Sequence, residues 1–193
     1  MLQWLGRMRR LAFAILWVAL SIPLLAAMRR EEPEIVDLTA VLDGRQVLVS
    51  FRLDGAFDDE VRERVETGLP TGFTYLVDLA RDRKRWWDDQ LAESRLEVVA
   101  MYNAVTREYL VNTKQDGKLV DSRTVRETAE LEAALTRFTA VPAFAVPEIE
   151  PGQRLLVRVQ AQLGSKTWLG FIPTTVETPR AESRKFRLPV DQP

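Results

Sequence analysis

IVDLTAVLDGRQVLVSFRL, residues 35–53, consists of two strand-like runs separated by the dipeptide Asp43-Gly44. This dipeptide is typical of the tight turn in a β-hairpin. In the second run apolar residues alternate with others, so that Val47 and Phe51 fall on one face of the predicted strand. The segment therefore predicts an antiparallel hairpin with one buried face, on which the rest of the domain is built.

The same period of two returns further along the chain. It predicts strands over residues 73–79, 96–102, 108–113, 119–122, 154–163 and 185–190. Asp116-Gly117 lies between the runs 108–113 and 119–122 and predicts a second hairpin turn.

Two amphipathic helices are predicted among these strands. The first begins at Asp58, which is suited to be its N-cap, and ends near Gly68. Its apolar stripe comprises Phe57, Val61, Val65 and Leu69. The second follows Thr124 and Glu127, a capping-box pattern. Its apolar stripe comprises Leu131, Leu135 and Phe138. The loop expected after it contains Pro142, Pro147 and Pro151.

These elements define the predicted fold class. We expect an α+β, β-rich fold with a mainly antiparallel sheet, either a sandwich or a partly closed barrel, and two short amphipathic helices. Hairpin, helix and strand occur in this order twice, once around each Asp-Gly turn. Two interpretations stay open: two similar units related by an approximate twofold axis, or simple alternation of strands and helices in one domain.

The N-terminal segment differs from everything that follows. Arginines ending with Arg10 precede an unbroken apolar run, residues 11–27, and Arg29 and Arg30 follow it. This is the pattern of a signal peptide or of a single-pass signal-anchor. A helix over this run reaches about 26 Å, against a hydrocarbon core of about 30 Å, so both cleavage and retention stay open.

We therefore expect residues 1–30 to be the signal peptide or transmembrane signal-anchor, with its segment ends at Arg10, Arg29 and Arg30. Residues 31–193 are expected to be a single extracytoplasmic domain, at the bacterial inner membrane with the domain in the periplasm, or secreted to the periplasm if the leader is cleaved.

Composition excludes several classes of function for this domain. Residues 31–193 carry 22 basic and 28 acidic groups, a net charge of −6, which disfavours nucleic acid as a partner. The chain has no histidine and no cysteine. We expect no disulfide, no thiolate site, no metal site and no cofactor, and a non-enzymatic role.

The densest cluster of residues suited to recognition follows the third predicted strand. The candidate interaction surface is Arg83, Arg85, Trp86, Trp87 and Asp88. Tryptophan and arginine supply much of the energy at binding hot spots, and beside a retained anchor they would also suit anionic headgroups. A structural alternative is that the indoles cap the core while the charged groups pair with one another.

The acidic residues suggest two other kinds of site. Asp88, Asp89 and Glu93 are the residue type that a two-carboxylate hydrolase uses, but adjacent side chains diverge and a partner from elsewhere is needed. The acids within residues 54–59 lack the spacing of a calcium loop and are better suited to cap a helix.

A carrier of lipid or of a small apolar ligand is an alternative function. It requires a cavity inside the sheet, lined by residues such as Phe51, Tyr75, Val98 and Val157.

Three stretches of sequence resemble a known family. They are SFRLDGAFDDEVRERVETGLPTGFTYLVDLARDRKRWWDD (50–89), MYNAVTREYLV (101–111) and RLLVRVQAQL (154–163). With the anchor and the second helix, they resemble a family of bacterial envelope proteins known only as domain of unknown function 4390, over residues 35–163. The resemblance brings no catalytic residue.

The resemblance also implies a setting. Genes of similar proteins often lie near those of sensor histidine kinases and ribosomal RNA methyltransferases, which implies envelope signalling. The expected partners are therefore the inner membrane, through the N-terminal segment, and an envelope protein such as a sensor histidine kinase. Binding is expected through an exposed strand edge or through the Trp86-Trp87 surface.

Overall fold

Alternating apolar residues fold most of the described part of this chain into antiparallel strands. The computed structural model describes residues 32–82, 89–145, 152–168 and 172–187. Within these ranges the strands are β1 Glu34–Asp43, β2 Gln46–Asp54, β3 Thr71–Arg81, β4 Asp89–Asn103, β5 Glu108–Gln115, β6 Lys118–Val125, β7 Arg137–Ala145, β8 Arg154–Trp168, β9 Ile172–Glu177, β10 Ala181–Glu182 and β11 Phe186–Arg187. The helices in the same ranges are α1 Asp59–Glu66 and α2 Thr128–Thr136.

The predicted N-terminal segment, residues 1–30 with Arg10, Arg29 and Arg30, lies outside the described residues. In the part that is described, neither helix has the length and apolar character needed to cross a membrane.

The strands form two antiparallel sheets. The smaller has three strands in the order β1-β2-β7. The larger has eight, with the order β10-β8-β3-β4-β5-β6 and with β9 and β11 also paired to β8. Among the described strands neither sheet closes on itself, and the predicted β-rich antiparallel class with two short helices is confirmed.

Both predicted hairpins are present, with different turns. Asp43 pairs with Gln46, so the first loop consists of Gly44 and Arg45, one residue later than the Asp-Gly dipeptide. Gly44 has a φ of +56°, which suits glycine at the first central position of the turn. In the second hairpin Asp116 and Gly117 are themselves the central residues, and both have positive φ.

The first helix was predicted correctly. Asp58 is its N-cap, and its carboxylate accepts a hydrogen bond from the Val61 amide at 3.0 Å. Val65 is fully buried, but Leu69 lies beyond the helix and is 58% exposed, so the predicted stripe ends one turn earlier.

The capping box predicted for the second helix was wrong. Thr124 lies in β6 opposite Leu110, and the N-cap of α2 is Glu127, which makes no side-chain capping bond. The backbone N–H of Arg126 is instead accepted by Glu130 at 3.4 Å. Leu131 and Leu135 are fully buried, as their spacing predicts.

The loop predicted to contain Pro142 is in fact a strand. β7 starts at the residue after α2 and carries Phe138 on its inner face and Pro142 in the middle. Proline is compatible with this position because β7 is an edge strand and its pairing with β2 is irregular between Val47 and Leu48. Residues 147 and 151, the other prolines of the predicted loop, lie outside the described residues.

The two sheets share one hydrophobic core. Alternate side chains of β2 and β3 are buried, and rings from both sheets meet there. The Phe51 ring centroid lies 5.2 Å from that of Tyr75 and 4.9 Å from that of Phe138. Tyr75 and Phe138 are also in contact, at 4.9 Å with the rings nearly perpendicular. This aromatic cluster joins β2, β3 and β7 in the middle of the molecule.

The repeated order of elements crosses between the sheets. The β1–β2 hairpin lies in the three-stranded sheet, and after α1 the chain enters the eight-stranded sheet as β3. The β5–β6 hairpin lies in the eight-stranded sheet, and after α2 the chain enters the three-stranded sheet as β7. Each helix therefore carries the chain from one sheet to the other.

The C-terminal segment covers the outer edge of β8. β9, β10 and β11 pair with successive parts of that strand. Between them, Thr178 and Ser183 each bond β8 twice, through the backbone N–H and through the side-chain oxygen. The hydroxyl oxygens accept from the N–H groups of Ala161 at 3.0 Å and Val157 at 2.9 Å. Side chains thus replace strand pairing where the segment bends.

Candidate binding groove

A groove lies between two edge strands that belong to different sheets. β6 ends the order of the eight-stranded sheet and β7 ends that of the three-stranded sheet. The space between them has a volume of about 510 Å³ and is lined by residues of β4 to β7. We call it the β6–β7 groove. Its size is within the range of pockets that hold small molecules or a few side chains.

The β6 wall is unusually exposed for a strand. Along its length all side chains are exposed except that of Val125, which is partly buried. Leu119 and Val120 are 59% and 56% exposed. Thr113 pairs with Asp121 but Lys114 pairs with Leu119, so Val120 is an extra residue in a β-bulge. The bulge brings Val120 and Asp121 together on the groove side.

The β7 wall is irregular. Its pairing with β2 shifts between Val49 and Phe51, and in this region Ala140 adopts a φ of +50°. The Ala140 amide donates to Ser50 Oγ at 2.9 Å, which holds the irregular segment to β2. Among the described strands β7 pairs with β2 only, and its other side faces the groove.

The floor of the groove is apolar. It contains Leu96, Phe138 and Val141. Phe138 also stacks on Phe51 in the core, so the floor is the outer surface of the aromatic cluster. A ligand in this groove would contact packed side chains rather than a flexible loop.

One end of the groove is fixed by hydrogen bonds between the sheets. The Gln115 side-chain amide donates to the Pro142 carbonyl at 2.9 Å and to Ser94 Oγ at 3.1 Å. Asp116, in the adjacent turn, accepts from the Arg95 amide at 2.8 Å. At the other end of β6, the Arg126 guanidinium donates to Glu108 Oε1 at 2.6 and 2.9 Å and lowers the pKa of that carboxyl.

The charged groups of the groove are Asp121, Arg123 and Arg137. Arg123 lies 3.6 Å from the Asp121 carboxylate. Arg137 has no ion-pair partner within the described ranges, and it is exposed. The groove thus has an excess of positive charge in a domain whose net charge is −6.

The predicted interaction surface falls in the sequence between β3 and β4. Arg83, Arg85, Trp86, Trp87 and Asp88 lie outside the described residues. The strands on either side of them, β3 and β4, are paired as far as Arg81 and Asp89. The neighbouring Asp82 carboxylate lies 3.0 Å from Lys185 Nζ and 3.4 Å from Arg154 Nε, so the C-terminal segment is held to this end of the sheet.

The structure places one pair of facing carboxylates that sequence reasoning did not find. Asp78 on β3 is opposite Glu93 on β4, and the Gln90 side chain donates to both, at 3.3 and 3.2 Å. Burial, and to a smaller extent Glu93, raises the pKa of Asp78, whereas Arg180 and Arg158 lower it. Only the strand register reveals this pair, because Asp78 and Glu93 are distant in sequence. Of the predicted hydrolase acids, Asp88 lies outside the described residues.

The acids weighed as a calcium site have ordinary structural roles. Asp58 caps α1, Asp59 pairs with Arg62 at 2.8 Å, and Asp54 pairs with Arg52 at 2.7 Å. No group of metal-binding side chains is found in the part of the chain that the structure describes.

The residues named for an apolar ligand cavity are packed in the core. Phe51, Tyr75, Val98 and Val157 are all buried. None of them lines the β6–β7 groove.

The groove was not predicted from the sequence because its two walls are separate strands that do not pair with each other. β6 and β7 are brought together by pairing with different sheets. The available signal was the run KLVDSRTV (118–125), whose apolar and charged residues do not alternate strictly.

Comparison with known proteins gives one match. A family model described as Domain of unknown function (DUF4390) matches residues 30–168, a range that includes every strand from β1 to β8. No curated protein and no solved structure matches the chain.

Proposed function

This chain belongs to the DUF4390 family, and on that premise we propose that residues 31–193 are a non-enzymatic binding domain that takes an extended segment of an envelope protein into the β6–β7 groove. The domain works in the periplasm, held at the inner membrane or released from it. A membrane sensor such as a histidine kinase is the class of partner that the family resemblance implies.

The observation that carries this proposal is the exposed edge of β6 beside a groove. An edge strand presents a row of backbone N–H and C=O groups, which an extended peptide can pair with as an added strand. β6 pairs with β5 only, among the described strands. The opposite edge of the same sheet is covered by the C-terminal segment, so one edge of the sheet is paired and the other is open.

The composition of β6 supports the same function. Leu119 and Val120 expose more than half of their surface on a strand that also carries Asp121 and Arg123. Inward-facing charges and a bulge limit uncontrolled pairing at an edge. An edge that is open but guarded in this way favours one specific partner over aggregation.

The N-terminal sequence supports the location. A basic and then apolar segment directs the following domain out of the cytoplasm. The groove is then available to segments of proteins in the envelope.

Site-specific crosslinking in cells tests this function. A photoreactive amino acid is placed at Val120 in the full-length chain, and in a control chain at Val41, which is similarly exposed (59%) but lies on β1. We expect one discrete envelope protein to be crosslinked from position 120 and not from position 41. A third chain carries the photoreactive group at Trp86. Adducts from position 86 alone would assign binding to the tryptophan surface and contradict the groove.

A further inference from the structure

Resting on the proposed function, we infer that the β6–β7 groove recognises a carboxylate side chain in an extended peptide of the partner, through Arg137 with Arg123. The chemical class of the ligand is thus an acidic peptide with aliphatic neighbours. Three observations lead to this assignment.

The first concerns the setting of Arg137. It is opposite Arg52 in the pairing of β7 with β2. Like charges opposite each other destabilise a sheet. Arg52 pairs with Asp54 at 2.7 Å and with Asp37 at 3.4 Å. Arg137 is left as a cation at the groove without a carboxylate in the described ranges.

The second concerns Arg123. It lies opposite Val111, a buried residue of β5, and therefore on the groove side of β6. Its contact with Asp121 is long, 3.6 Å, and involves Nε, so its terminal nitrogens are not committed to that carboxylate. One carboxylate for two guanidinium groups leaves the groove with a net positive charge, and a bound carboxylate would balance it.

The third concerns the apolar surface of the groove. Phe138 and Val141 form the floor and Val120 forms part of the β6 wall. An extended peptide places alternate side chains on one face, so aliphatic residues on either side of the acid would contact this surface. A free phosphate or a nucleic acid would not use it, and the net charge of −6 disfavours polyanions.

Two labelled hexapeptides test the inference. Both are N-acetylated, C-amidated and alternate valine with threonine; one has a central glutamate and the other a glutamine in its place. Binding to the full-length chain in non-ionic detergent is measured by fluorescence anisotropy at low salt. We expect the glutamate peptide to bind about tenfold more tightly, as charge-assisted hydrogen bonds to arginine allow.

Substitutions in the chain identify the residues that cause the preference for the glutamate peptide. Arg137→Gln should abolish the preference for glutamate, and Arg123→Gln should reduce it. Arg62→Gln, which removes a guanidinium from α1, should leave it intact. A benzophenone on the peptide should form adducts within residues 118–125 or 137–145. A preference that survives Arg137→Gln would overturn the inference.

The remaining outcomes separate this inference from the proposed function. If both peptides bind the groove equally, the binding function stands and recognition of a carboxylate is wrong. If neither binds, the edge does not accept a peptide and the proposed function fails. Concentration-dependent dimers that neither peptide disrupts would show that a second copy fills the groove. Displacement of the peptide by phosphatidylglycerol vesicles alone would show a lipid headgroup site, and would overturn both.

Discussion

Tyr75 connects the two sheets through both its ring and its hydroxyl. The ring contacts those of both Phe51 and Phe138, and the hydroxyl donates to the Leu135 carbonyl at 2.7 Å. Leu135 is in the last turn of α2, where carbonyl groups have no partner within the helix. Burial raises the pKa of Tyr75 well above its ordinary value, so the hydroxyl stays a donor at all physiological pH values. One side chain thus satisfies a carbonyl at the C-terminal end of a helix and also packs in the core.

Tyr75→Phe tests this double role. The ring is kept, but the buried Leu135 carbonyl loses its donor, and we expect the free energy of unfolding to fall by about 1–3 kcal/mol. Urea denaturation of the wild type and the variant measures the change. Tyr102→Phe is the control, because Tyr102 is only partly buried, and it should change stability by less than about 0.5 kcal/mol. Equal effects of the two substitutions would contradict the role of the Tyr75 hydroxyl.

Asp78 makes stability depend on pH in an unusual direction. Its folded-state pKa is raised, first by burial and then by Glu93, against the opposing effects of Arg180 and Arg158. The folded chain therefore binds this proton more tightly than the unfolded chain. The resulting stabilisation is complete below the unfolded pKa, about 4, and is lost as the pH rises through the folded pKa.

Asp78→Asn removes this titration. We expect the stability of the variant relative to wild type to increase as the pH is raised from below 4 to neutral, measured by urea denaturation at each pH. Asp43→Asn, in the exposed first hairpin, controls for the loss of one surface carboxylate. A stability difference that does not vary with pH over this range would show that the pKa of Asp78 is not raised.

At the scale of secondary-structure elements, the residues of turns and helix caps explain which strands and helices could be predicted from the sequence. Asp-Gly turns and the N-cap Asp58 act through neighbouring residues, so both hairpins and α1 follow from the sequence. β7 could not be predicted in this way, because it follows α2 with no turn residues between them. Pro142 is typical of a loop, and it fits a strand only at the edge of a sheet. The groove depends on two edge strands that are brought close by pairing with different sheets, and no local sequence pattern encodes that.

The C-terminal segment depends on two buried hydroxyl groups. Thr178→Val keeps the shape of the side chain but leaves the buried Ala161 amide without its acceptor. We expect a loss of about 1–3 kcal/mol in the free energy of unfolding, and faster hydrogen exchange at Ala161. Ser183→Ala should act in the same way at Val157.

Ser122→Ala is the matched control for these substitutions. Its hydroxyl bonds Asn112 at 2.7 Å on the exposed face of β6, where water can replace it. We expect a change of less than about 0.5 kcal/mol. If Thr178→Val has no larger effect than Ser122→Ala, the hydroxyl of Thr178 does not hold the segment.

At the scale of the whole molecule, one core supports two sheets whose edges differ in protection. β3 has strands on both sides and its inner side chains are buried, whereas β6 is paired on one side and is exposed. Opening of an edge strand disturbs few buried contacts. The two strands should therefore open with different free energies.

Native-state hydrogen exchange measures this difference. Amides of β3 should exchange only through global unfolding, and those of β6 through local opening at a clearly lower free energy. Protection of β6 equal to that of β3 would mean that its edge is covered in solution and would contradict an open groove.

The crossing of the chain between the sheets has a kinetic consequence. β2 gains its second neighbour, β7, only after β3 to β6 have been made, and β3 gains β8 later still. Non-local pairing of this kind gives a high contact order and slow folding, over milliseconds to seconds. A chain that emerges from its N-terminus, whether from a ribosome or through a translocation pore, must hold the outer edge of β2 unpaired until the last third has appeared. The topology thus predicts a requirement for a holding chaperone during biogenesis, most acute while the nascent chain ends between residues 54 and 137.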